Sequence, residues 1–276
     1  MYKVLDKDII EMEIICHIPA NKRGFSPQAP LEEIVNAILY KLKIGVQWYL
    51  LPVEFLFSDL VLSWQSVYYH YRKWCKAGVW SQSWIQILHK YRYLLDLSSS
   101  DLDGSHTGAI KGGEQTGYQK RKKRKTTNSL YLTDRQGLPL SMSEPVSGNH
   151  HDLFEIETHF NELVNPLEQA GISPDGLFVN ADAGFDSQEF RQLCSEKGII
   201  ANFAENPRNG DCQNDNYFDE LLYRERYSIE RTNAWFDGFR SLLNRFDTTV
   251  SSWKGFNYLA FIAIRLKKFL KRKKFK

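Results

Sequence analysis

The sequence predicts a helical N-terminal domain followed by a mixed α+β or α/β domain in which helices flank a sheet. Three observations carry this. Over residues 1–95 apolar side chains recur at three-four spacing, the period of one helix face. From Leu97 the pattern shifts to short apolar runs bounded by turn residues, as in strands. Beyond residue 150 strand and helix patterns alternate. With 276 residues, 42% hydrophobic and 25% charged, the chain has enough apolar material for a packed core, which excludes a disordered protein. The longest apolar stretches, around Leu50–Trp64 and Phe256–Leu270, are interrupted by Glu54, Asp59, Asn257 and Arg265. Neither reaches the roughly 20 apolar residues of a membrane span, so a soluble chain is expected. Cys16, Cys75, Cys194 and Cys212 form no CxxC or zinc spacing and follow no signal peptide, which predicts reduced thiols in a cytoplasm.

In the helical part, Ile34, Val35, Ile38, Leu39 and Leu42 form one stripe, with Gly45 as its stop. Further helices are expected over Trp64–Lys76 and Ser81–Leu95. Strands follow at Ser98–Asp103, then at Ser129–Thr133 and Leu138–Val146, a hairpin around Asp134-Arg135-Gln136-Gly137. Asp152 with Glu155 reads as a capping box for a helix reaching Ala170, and Asp186 with Glu189 as a second box. Between them Gly176–Ala181 is a buried strand, and Ile199–Phe203 is another. The Asn-, Asp- and Gly-rich stretch Glu205–Glu220 reads as a loop. Helices over Glu225–Asn244 and Trp253–Lys271 close the chain. This order of three strands, helix, strand, helix, strand, helix matches a ribonuclease-H-like mixed five-stranded sheet, giving domains at 1–95 and 96–276.

Net charge is only +3, yet positive charge is concentrated. Lys120, Arg121, Lys122, Lys123, Arg124 and Lys125 are consecutive, and Arg265–Lys276 holds eight more basic residues. Without these fourteen, the remainder carries 22 Lys and Arg against 33 acids. Such clusters neutralise phosphates and release counterions on nucleic acid, although a solvated loop and a basic helix end are the bland alternative. Three acids stand in distinctive settings: Asp103 in Asp-Leu-Asp-Gly-Ser-His, Asp182 in Asn-Ala-Asp-Ala-Gly-Phe-Asp, and Glu230 in Arg-Tyr-Ser-Ile-Glu-Arg. In the expected sheet they occupy the first strand, the end of the fourth strand and a later helix. Carboxylates so gathered suit magnesium, and two such ions about 4 Å apart serve phosphodiester chemistry. Asp101 shares a strand face with Asp103 and competes for its role; Gly104 favours Asp103 because it admits close backbone approach. Arg226, one turn before Glu230, could hold that carboxylate or a phosphate. His106 and the pair His150–His151 are weighed as phosphate or metal contacts against structural roles. Trp48, Trp64, Trp74, Trp80, Trp84, Trp235 and Trp253 are core candidates, with Trp235 placed to stack on a base.

These residues resemble the bacterial insertion-sequence transposases of the DDE type, in the groups numbered five and four. The resemblance rests on Asn36-Ala37-Ile38-Leu39-Tyr40, Gly45-Val46-Gln47-Trp48 and Arg72-Lys73-Trp74 in the helical part, on Leu102-Asp103-Gly104-Ser105, and on Ala181-Asp182-Ala183-Gly184-Phe185-Asp186. Tyr223, Arg226 and Glu230 match the Tyr-x2-Arg-x3-Glu signature, while Asp237 stands where the related group has Lys. The resemblance implies Asp103, Asp182 and Glu230 as catalytic residues and ligands of two Mg2+ ions, for which Mn2+ could substitute. It implies nicking at the ends of an element and attack of the freed 3′-hydroxyl on target DNA. With it, Lys120–Lys125, Tyr223, Arg226 and the domain 1–95 are expected to contact DNA, and a homodimer or larger assembly is expected on inverted-repeat ends in the bacterial nucleoid. A catalytically silent DNA-binding derivative and a purely hydrolytic nuclease remain the alternatives.

Overall fold

A computed structural model describes residues 3–20, 27–206 and 217–273, with side chains through Phe269. Cys212, residues 207–216 of the expected loop and the side chains of the last basic residues therefore lie outside the described set. The chain divides into two compact units, one of residues 1–87, 110–114 and 235–276, the other of 88–109 and 115–234. Among the described residues no helix is long and apolar enough to cross a membrane.

The first unit is helical: α1 (Lys7–Glu13), α2 (Leu31–Ile44), α3 (Trp64–Lys76), most of α4 (Val79–Lys90), α9 (Arg240–Leu243) and α10 (Val250–Lys273). The predicted stripe on α2 is fully buried, and Gly45 ends the helix at φ +73°. Aromatic rings form the centre: Tyr71 stacks on Phe256 at 4.5 Å, and Trp84 meets Phe261 edge-on at 5.4 Å. Trp74, Trp80, Trp84 and Trp253 are buried, as expected of core residues. α4, expected over Ser81–Leu95, stops at Lys90, five residues short of its expected end, and a 3-10 turn covers Arg92–Leu94. Two charged expectations change here. Arg265, the first member of the C-terminal basic run, is buried with its guanidinium 4.4 Å from the Phe269 ring. Trp235, offered above for base stacking, carries the Lys268 ammonium at 3.7 Å from its ring centroid.

The second unit holds the sheet. β1 (Ser100–Ala109) runs antiparallel to β3 (Arg124–Asp134), and along the other edge of β3 lie β2 (Gly117–Gln119), β5 (Val146–Ser147) and β4 (Pro139–Met142). On its far side β1 pairs in parallel with β6 (Phe178–Ala181), which pairs in parallel with β7 (Ile200–Phe203). Three antiparallel members followed by two parallel ones give the expected ribonuclease-H-like order. α5 (Ile156–Gln169) packs on β3 and β4 and buries Phe160, Leu163 and Leu167, and α6 (Gln188–Glu196) lays Phe190 on Phe203 at 5.0 Å. β1 and β3 are longer than their apolar runs suggested, so Arg124 and Lys125 belong to a strand and Lys120–Lys123 to the turn before it. The run Leu138–Val146 splits into β4 and β5 around Pro145, which has no N–H for a ladder.

Both expected capping boxes fail for one reason: their aspartates are engaged by partners other than the helix-end amides. Asp152 accepts from Asn128 Nδ2 at 2.7 Å, and α5 starts only after Glu155, whose side chain makes no cap. Asp186 pairs with Arg191 at 2.7 Å and accepts from the Asn206 amide, leaving Ser187 to cap α6. The single helix expected over Glu225–Asn244 is instead α7 (Glu220–Arg224), a 3-10 turn (Glu225–Tyr227), α8 (Ser228–Asp237) and α9. Its last break falls at Gly238-Phe239, where Phe239 turns extended and buries its ring.

Candidate active site

The β1–β6 register places the first two predicted carboxylates side by side. Ser100 pairs with Val179 and Asp101 with Asn180; the same offset carried two residues further aligns Asp103 with Asp182, each at or past the end of the paired run. Adjacent strands lie about 4.8 Å apart, and alternation puts Asp101, Asp103, Asn180 and Asp182 on one face. The rival Asp101 is wholly committed to structure. It is buried and accepts from Asn180 Nδ2 at 3.0 Å and from the Ser228 hydroxyl. Asn180 in turn accepts from Asn202 Nδ2 at 2.8 Å, and Asn202 accepts from the Asp219 amide at 2.7 Å. This chain of amides ties β7, β6 and β1 to the start of α8. Buried amides demand partners, and a lone Asn inside each of two apolar strands, Phe178-Val179-Asn180 and Ile200-Ala201-Asn202, was the unused sequence signal.

The second support is the β3–β4 turn. Asp134 accepts from the Gln136 and Leu138 amides, closing the turn. Gly137 sits at φ +74°, where a Cβ would overlap the Ser228 carbonyl, and its own carbonyl accepts from the Thr232 hydroxyl. Arg135 grips Glu225 through a hydrogen bond from Nη2 to Oε1 at 2.7 Å and an ion-pair contact of Nε with Oε2 at 2.6 Å. The turn thus fixes the segment that carries Arg226 and Glu230. The Arg226 guanidinium lies 5.6 Å from the Tyr223 ring and interacts with both Asp101 and Asp103. Glu230, in the first turn of α8, is exposed. The structure therefore gathers Asp103, Asp182, Tyr223 and Arg226 and leaves Glu230 on the open side of the same segment.

Burial pushes the Asp103 carboxyl up to about 7; Arg226 opposes this, and the like charges of Asp182 and Asp152 add to it. Asp103 Oδ1 also accepts from the Gly104 amide at 2.9 Å, and Asp182 Oδ1 from the Gly184 amide at 2.8 Å. Among the described residues no group of three or more His, Cys, Asp and Glu side chains is close enough to hold one metal. The donor chemistry of the pair nonetheless fits a hard divalent ion, which takes a few carboxylates and completes its shell with water or phosphate. Two carboxylates held against mutual repulsion are what such a charge relieves.

Lys120–Lys125 forms the tip and base of the β2–β3 hairpin. Lys122 donates to the His106 carbonyl at 2.6 Å, and the Arg124 guanidinium covers Gly108. His106 sits opposite Asn128 with Nδ1 3.3 Å from the Thr126 hydroxyl, and burial lowers its pKa, opposed by Asp152. His150 stacks on Phe154 at 3.7 Å and His151 is exposed, so the adjacent histidines diverge.

Two family models match the sequence: "Putative transposase of IS4/5 family" over residues 12–84 and "Transposase DDE domain" over residues 92–264. No curated protein sequence matches the chain. Among solved structures, a Mos1 transposase paired-end complex with the left transposon end is similar at 13% identity and a TM-score of 0.31, over 88% of this chain and 79% of that one. A pre-cleavage Mos1 transpososome is similar at 12% identity and a TM-score of 0.29, over 90% and 81%.

Proposed function

The chain belongs to the DDE-domain transposase family, and we propose that Asp103, Asp182 and Glu230 are the carboxylates through which it cleaves and joins DNA. As a DDE transposase it depends on a divalent metal. Asp103 and Asp182 would hold Mg2+, as two ions for which Mn2+ can substitute, with Glu230 supplying the third carboxylate from α8. When bound, the metal supplies positive charge to the attacking and leaving oxygens of an in-line displacement at phosphorus.

The chain's own residues do the rest. Arg226, stacked on Tyr223, places a guanidinium fork beside Asp103, suited to a phosphate oxygen of the scissile strand. The Asp101–Asn180–Asn202 chain and the Arg135–Glu225 pair hold that geometry still, so little ordering is left for the reaction. Lys120–Lys125, on a projecting hairpin, tracks the phosphate backbone. Water attacks first and frees a 3′-hydroxyl; that hydroxyl then attacks target DNA at the same site, since both steps are displacements of one type. Holding two inverted-repeat ends requires at least two copies of the chain, working on chromosomal DNA in the cytoplasm.

The observation that carries this reading is the alignment of Asp103 with Asp182 just beyond the paired run of β1 and β6, with the charge of Arg226 acting on Asp103. Purified protein with Mg2+ and terminal inverted-repeat DNA is expected to nick and join. Asp103→Asn, Asp182→Asn and Glu230→Gln should each abolish both steps while DNA binding, read by mobility shift, persists. Undiminished joining by any one variant removes that residue from the site, and nicking without joined products favours a hydrolytic nuclease.

A further inference from the structure

α3 has two faces of opposite character. Val67, Tyr71, Trp74 and Cys75 are buried and seat the helix. Tyr71 donates to the Ser252 carbonyl at 2.6 Å, and Gly255 lets α10 come so close that a Cβ there would overlap Cys75 Sγ. On the other face Gln65, Tyr68, Tyr69, Arg72, Lys73 and Lys76 recur at three-four spacing and line an open groove of about 720 Å3. Tyr69 is 61% exposed, and the Arg72 guanidinium lies 5.7 Å from the Tyr68 ring centroid. From Gln65 to Lys76 the stripe runs about 16 Å. Solvated helix faces ordinarily mix charges of both signs at one-turn spacing. No Asp or Glu occurs between Asp59 and Asp96, so this face carries cations and aromatic rings without an acid of its own.

We propose that this stripe of α3 is a DNA contact separate from the β2–β3 hairpin: it seats the backbone of duplex DNA, with Arg72, Lys73 and Lys76 neutralising phosphates and the tyrosine rings packing against the sugars. Charge complementarity calls for a polyanion, and the reaction of the family supplies one. A helix fits the major groove of B-DNA, about 12 Å wide, and its long side chains reach the phosphates that border it. The buried face holds α3 fixed, and Tyr68 holds the Arg72 fork, so few side chains remain to be ordered on binding. Phosphate contacts position a protein without reading sequence. The stripe therefore grips any duplex and leaves the choice of element ends to other side chains. The inference rests on the reading of the chain as a transposase that cleaves DNA.

The test is binding of labelled duplexes to the full-length protein across a salt series, with melting temperature and single-turnover nicking measured on the same samples. One duplex carries the terminal inverted repeat and the other a scrambled sequence. The triple variant Arg72→Gln, Lys73→Gln, Lys76→Gln is expected to lower the salt slope by about 2–3, roughly 0.9 for each phosphate lost, and to weaken both duplexes by the same factor. The charge-keeping set Arg72→Lys, Lys73→Arg, Lys76→Arg is expected to retain the slope; an equal fall there points to lost packing and overturns the proposal. An unchanged slope in the neutral variant also overturns it, and if that variant alone loses binding to a poly-glutamate peptide, the groove belongs to an acidic polypeptide. Lys76 is exposed, so Lys76→Gln, expected to lower the slope by about 0.9, decides the matter should the triple variant not fold. The catalytic reading fails separately: wild-type nicking by Asp103→Asn overturns that site and leaves the α3 contact standing. An α3 variant with the wild-type slope, alongside an inactive Asp103→Asn, overturns the α3 contact alone.

Discussion

Asp101 and Asp103 lie two residues apart on one strand and face the same side, yet their surroundings differ in kind. Asp101 has donors on its oxygens from Asn180 and Ser228 and sits within a continuous chain of buried amides. Asp103 has one local backbone donor, a guanidinium nearby, and two like charges that oppose its ionisation. The fold satisfies the first carboxylate and leaves the second in debt to something that must come from outside. Position along the β1–β6 pair decides this: Asp101 is inside the hydrogen-bonded register, and Asp103 is where the strands stop pairing.

The sharpest break of this contrast is to exchange the two losses. Asp103→Asn should lower DNA nicking at least about a thousandfold in a single-turnover assay, because a charge that meets the metal is gone, with metal-free stability equal to or above wild type. Asp101→Ala should do the reverse, costing about 2–4 kcal/mol in urea unfolding by stranding Ser228 and Asn180, while the folded fraction keeps most of its cleavage rate. Equal stability losses in the two variants would erase the distinction.

A second test uses protons. Asp103 is raised from 3.8 to about 7 in the folded protein, so between those values the native state binds more protons than the unfolded one. Metal-free stability should therefore fall as pH rises through that window and level off above it. Asp103→Asn should flatten that slope. Metal needs the ionised form, so Mn2+ affinity should weaken by up to about tenfold per pH unit below about 7 and be flat above. A pH-independent affinity from about 5.5 to 8 would place the binding group elsewhere.

The smallest effect concerns the hairpin. Neutralising Lys120–Lys123 at the turn should lower the salt slope of DNA binding by about 0.9 for each phosphate that the chain no longer neutralises, while neutralising Arg124 and Lys125, which open β3, should also reduce stability. An unchanged slope in the turn variant would return that tract to a solvated loop.

How much of this the sequence disclosed follows a physical line. The strand positions and the turn at Asp134–Gly137 rest on short-range periodicity and turn chemistry, which the sequence displays directly, whereas the expectation that Asp103 and Asp182 meet came from the order of the elements and from the family resemblance. Capping assignments at Asp152 and Asp186 failed because each side chain had a partner other than the helix-end amides, Asn128 for one, and Arg191 five residues on together with the more distant Asn206 amide for the other. The helix through Glu230 was overextended because burying Phe239 outweighs continuity of the helix. Asp101 could be ranked below Asp103 only on the hint of Gly104; its true occupation depends on Asn180 and Ser228, one on another strand and the other 127 residues away.

The amides of Asn180 and Asn202 each act at both ends, giving a hydrogen to one neighbour and taking one from the next. A link of that sort has a direction, and replacing any single member reverses or empties the bond on either side of it. Related chains should accordingly inherit the acid at 101 and the two asparagines as a block: a lineage that has given up one of the three will have rewritten the others.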